Sequence, residues 1–135
     1  MRAIAILFVA FTLGVASAAS KPFVGWLIDP ESSDSASVEV WGASNAEREW
    51  RVVDRGGVVL ARMKQPALPP GHAFNWGGCR VGGEARHDVI AVVRHRENQE
   101  WSAEVAAVWV VDAKKGSFVS TNPKGFECRN EGYGV

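Results

Sequence analysis

The feature that most constrains this chain is a succession of short β-branched and aromatic runs, each closed by Gly, Pro, Ser, Asn or Asp. No long stretch has helical spacing, so the pattern predicts an all-β domain. Strands are expected at 23–28, 37–41, 49–54, 58–63, 74–80, 87–94 and 103–111, with a short eighth at 126–129. Seven or eight strands at this spacing predict a small antiparallel sandwich or barrel. In 87–95 the alternate residues His87, Val89, Ala91, Val93, His95 and Asp88, Ile90, Val92, Arg94 are both apolar in the middle. A strand apolar on both faces is central rather than half-solvated. The run 103–111 reads the same way, with Val105, Ala107, Trp109 and Val111 on one face. The two are expected to pair as a hairpin around residues 96–100.

Glycine and proline set the connections. Arg55-Gly56-Gly57 is expected to close a tight two-residue hairpin, since a Gly-Gly pair takes positive φ without penalty. Residues 64–71 carry Pro66, Pro69 and Pro70, which cannot donate to a ladder, so this stretch is expected as an exposed connection. Gly77-Gly78 and Gly82-Gly83 bracket Cys79 and predict a short bent strand or bulge.

The N-terminus has the three parts of a secretory signal: Arg2, an apolar run from Ala3 to Val15, and Ala16-Ser17-Ala18. Cleavage is expected after Ala18, leaving one domain at 19–135 that is periplasmic or secreted and free of the membrane. Cys79 and Cys128 are then an even pair in an oxidising compartment, for which a disulfide is the default.

Composition narrows the partners. With 47% hydrophobic residues and Lys+Arg balancing Asp+Glu at 15 each, the chain has neither a disordered composition nor the basic excess that nucleic-acid backbones select. Loss of Arg2 tips the balance one unit acidic. No cofactor or metal is expected: there is no phosphate-loop or dinucleotide fingerprint, no HExxH, and no CxxC spacing. His95-Arg96-Glu97 has the HxE of a zinc deaminase without its PCxxC. Gly42-Ala43-Ser44-Asn45-Ala46 approaches a nucleophile elbow but ends in Ala, and reads as a polar turn. Asp29, Glu31 and Asp34 form an acidic loop without the glycine and distal Glu of a calcium hand. On one strand His87 and His95 stand about 26 Å apart and cannot share a metal or form a dyad.

The compositional excess is six tryptophans: Trp26, Trp41, Trp50, Trp76, Trp101 and Trp109. Such side chains serve both as core filling and as binding anchors. Trp109, on a central strand, is expected in the core. Trp76, at the Gly-rich bend, and Trp101, beside Glu97 to Glu100, are the candidates for contact positions, with Arg94 and Arg96 as a basic rim. The tail from Asn122 to Gly134 is distinctive in sequence but carries no recognisable chemistry. The reading is a monomeric or weakly dimeric, non-catalytic binding or inhibitor-like module for an envelope or extracellular protein. The alternatives are a small hydrolase built on a His/carboxylate pair, and a glycan binder with several exposed Trp faces.

Overall fold

The computed structural model describes residues 21–134; the signal-like segment at 1–18 lies outside them. Twelve short strands form three antiparallel four-stranded sheets. The first sheet has the order β1 (Val24–Leu27), β2 (Ser37–Trp41), β3 (Glu49–Val53), β4 (Val59–Lys64). The second contains β5 (Ala73–Trp76), β8 (Val89–Val93), β10 (Val105–Asp112) and β11 (Ser117–Thr121), in the order β11-β10-β8-β5. The third contains β6 (Cys79–Val81), β7 (Glu84–Arg86), β9 (Trp101–Ser102) and β12 (Phe126–Arg129), in the order β7-β6-β12-β9.

The second sheet is central because its strands are apolar on both faces. Val89, Ala91 and Val93 of β8 enter one core with Val108, Phe126, Cys79 and Cys128. Ile90 enters the other core, with Val38, Val40, Trp50, Val52 and Val111. All five residues of β8 are buried. The architecture is thus a sandwich, as expected, with a third layer added to it. β8 and β10 pair as expected, but the connection between them lends Trp101–Ser102 to the third sheet, opposite Cys128 and Arg129.

Three details differ from the sequence expectation. A β-bulge between Val105 and Ala107 reverses the alternation in β10, so Val105 packs with Val108 and Val110 rather than with Trp109. The Arg55-Gly56-Gly57 hairpin has a three-residue loop in which only Gly57 takes positive φ, at 86°. The Asp54 carboxylate accepts the Val58 N–H there and holds the wider turn. The two-residue glycine turn sits instead at Gly82-Gly83, φ 57° and 82°, between paired Val81 and Glu84. The predicted strand 74–80 divides at Gly77 into β5 and β6. The short strands β7, β9 and β11 lack the length or apolar content for a periodic signal.

The Cys79–Cys128 disulfide is formed between directly opposed residues of β6 and β12, Cα atoms 4.0 Å apart. A bond of this kind forms and persists in oxidising surroundings such as the periplasm or the cell exterior. Among the described residues, no helix is long and apolar enough to cross a membrane.

Candidate functional site

Alternation around the disulfide builds the outer face of the third sheet. Cys79, Val81, Phe126 and Cys128 turn inward to the core, so their neighbours Arg80, Glu127 and Arg129 project outward. Trp101, the register partner of Arg129, joins them. The strand that carries Trp101 is anchored by Ser102, which is fully buried. The Ser102 hydroxyl donates to the Arg94 carbonyl at 2.6 Å and accepts the Glu104 N–H at 3.2 Å. Asn130 N–H donates to the Glu100 carbonyl at 2.7 Å, fixing the other side.

On this face the Arg80 guanidinium lies 3.8 Å from the centroid of the Trp101 ring, within cation–π range. Arg80 also meets the Glu127 carboxylate at 3.3 Å, and Arg129 approaches Glu100 at 3.9 Å. Arg96 forms a two-pronged pair with Glu104 at 2.7 and 2.8 Å. Hydrogen bonding to Arg96 holds the Glu104 carboxyl below its usual range, and Glu104 in turn raises Arg96. Arg94 is exposed and its guanidinium lies against Gly71.

Trp101 thus sits at the β9 edge of the third sheet, whereas the Arg94 guanidinium turns to Gly71 and that of Arg96 to Glu104; among the described residues neither guanidinium stacks on the indole. Trp76 lies elsewhere: its ring stacks on Phe74 at 5.1 Å and meets Trp50 at 6.0 Å and Trp26 at 6.1 Å in the core that contains Ile90 and Val38. Trp109 meets Trp50 at 5.1 Å in the same cluster, the core position expected of it. Trp41 sits on the outer face of the first sheet beneath Arg51. Trp50 is buried and the other five tryptophans are half-buried.

Sequence reasoning missed Arg80, Glu127, Glu100 and Arg129. For Arg80, Glu127 and Arg129 a signal was available, since residues flanking an inward disulfide cysteine in a strand face outward.

Two of the three histidines are held by main-chain contacts. His72 Nδ1 lies 2.9 Å from the Pro70 carbonyl and His87 Nδ1 lies 3.3 Å from that of Gly77. His95 Nδ1 is buried without a partner, and burial pushes this ring below its ordinary pKa. Among the described residues, no histidine nitrogen hydrogen-bonds a serine hydroxyl or a carboxylate. Nor does any group of three His, Cys, Asp or Glu residues there converge as metal ligands would. The acidic loop is tied internally and to Arg55, which meets Asp34 at 2.7 Å. No family model, curated protein or solved structure matches the chain.

Proposed function

We propose that the chain is an exported, non-catalytic binding module for an envelope or extracellular protein, and that the outer face of the third sheet is its contact surface. The observation that supports this is the Trp101–Arg80 pair on a face otherwise lined by Glu127, Arg129 and Glu100. Trp and Arg dominate the energetics of protein interfaces when a polar rim surrounds them. Arg96, on the β8–β9 connection, adds charge beyond the edge of this surface, and the disulfide cross-links β6 and β12 beneath it, which lowers the ordering cost of association. Trp76 supports the module from the core and is not assigned a contact.

The test is affinity for a protein partner isolated with the disulfide-bonded chain as bait. Trp101→Ala should weaken that binding about tenfold or more while the circular dichroism spectrum and unfolding midpoint stay those of the parent. A partner retained equally by Trp101→Ala, or no partner at any concentration, contradicts the proposal.

A further inference from the structure

Beside the first sheet, the 3-10 turn Asn45–Glu47 and the proline-rich segment leaving β4 enclose an open groove of about 550 Å³. Its apolar wall comes from Ala46, Pro66 and Leu68, and its polar side chains are Asn45, Lys64 and Gln65. This groove shares no residue with the third-sheet face, so it stands apart from the binding role proposed above.

The hydrogen bonding of the polar side chains is one-sided. Gln65, only 6% exposed, has its Oε1 taken by the Trp50 indole N–H at 3.1 Å. Asn45 Oδ1 accepts Arg48 at 2.6 Å and the Gln65 amide at 3.4 Å. The acceptor oxygens of both amides are thus engaged internally. What remains is donors: the Asn45 Nδ2 group, the weakly held Gln65 Nε2, and the Lys64 ammonium, which makes no ion pair among the described residues. Glu49, the register partner of Lys64, is already held by Arg51 and Arg62. Arg48 adds a second cation behind Asn45, stacked on Phe23 and without a carboxylate among the described residues. A cleft whose polar side chains offer donors and cations, and whose remaining wall is apolar, is complementary to an anion with a hydrocarbon body.

We propose that this groove binds a small amphiphilic carboxylate. The anionic end sits at Lys64 and Asn45, and the hydrocarbon lies on Ala46, Pro66 and Leu68. Pro66 stiffens the wall, so little ordering accompanies binding. Because Gln65 links the groove to the Trp50 indole, occupancy is felt in the core.

The probe is decanoate below its micelle concentration, titrated into the disulfide-bonded protein and followed by two-dimensional amide NMR. The amides of Ala46, Ala67 and Leu68 and the Trp50 indole N–H should shift together and saturate. Decanol, with the same chain and no charge, should bind about tenfold more weakly or worse, and Lys64→Gln should weaken decanoate about tenfold, as loss of a charge-assisted contact implies. Lys64 is exposed at the end of β4, and an unchanged spectrum of the unliganded variant verifies its fold. Absence of saturable shifts overturns the proposal. So does equal binding of decanol, or undiminished decanoate binding by Lys64→Gln. An N-acetylated apolar tripeptide acid that binds more tightly than decanoate would assign the groove to peptide C-termini and likewise overturn it.

Discussion

Substituting Gly77 by alanine tests the junction between the layers. Gly77 takes φ 70°, and a Cβ there would lie 2.6 Å from Trp26 Nε1, 2.9 Å from Cδ1 and 3.0 Å from Cε2. The left-handed conformation alone costs an L-residue about 1 kcal/mol. The indole must also move by about an ångström to reach ordinary contact distance, and its N–H donates to the His87 carbonyl at 2.7 Å. Losing that hydrogen bond costs about 1 kcal/mol, and loosening the Trp26–Trp76 contact at 6.1 Å costs about 1 kcal/mol more. The total is about 3 kcal/mol, equivalent to a fall in Tm of about 10 °C for a domain of this size. Urea unfolding followed by circular dichroism measures it, and the m-value should not change. In a Trp26→Ala background the same glycine substitution should cost only about 1 kcal/mol, the backbone part alone. A cost below 1 kcal/mol in the parent, or an undiminished cost without the indole, would refute the close-approach argument.

Four further outcomes follow from the same structure. Replacing Cys79 and Cys128 by alanine opens a loop of sequence separation 49 and should remove about 4 kcal/mol of stability in denaturant unfolding; a loss below about 1 kcal/mol would contradict the loop-closure account. Gln65→Leu strands the fully buried Trp50 indole N–H at a cost of about 1–3 kcal/mol, and adding Trp50→Phe should recover the hydrogen-bond part; no recovery would show that packing alone matters. Burial holds the His95 pKa below its ordinary 6.5, so between those two values the unfolded chain binds more protons and stability falls as pH drops below 6.5; His95→Gln should abolish that phase of the pH profile. Glu49, held below its ordinary 4.5 chiefly by its hydrogen bond to Arg51, contributes stability above 4.5 that is lost as pH falls through its lower native value, and Glu49→Gln should flatten this second phase.

The central position of β8 was legible because a residue-by-residue alternation with both faces apolar has one structural solution. The parity of β10 was not, because the bulge at Val105–Ala107 is marked by no glycine or proline. Two Gly-Gly pairs competed for the tight hairpin. The Asp54 carboxylate, by accepting the Val58 N–H, gave the first of them the longer loop, a side-chain contact that pattern reading does not weigh. Of the site residues, Trp101, Arg94 and Arg96 are close in sequence, but their side chains turn to Arg80, Gly71 and Glu104 respectively, which sequence proximity does not reveal. Trp76 was misleading for a different reason: a Gly-rich bend suggests exposure, yet the bend turns the indole into the Trp50 cluster, a tertiary fact. Glu127 and Arg129 flank Cys128 on the expected strand 126–129, but grouping them with Arg80 and Trp101 needed the third sheet, whose other strands have only two or three residues.

The binding role rests on which face meets the partner, and site-specific photo-crosslinking reads that directly. A photoreactive residue in place of Glu127, on the third-sheet face, should give a discrete adduct with a partner protein in producing cells, and Trp101→Ala should abolish it. The same residue in place of Arg62, on the outer face of the first sheet, should give none. An adduct from position 62 without one from position 127 would contradict the account.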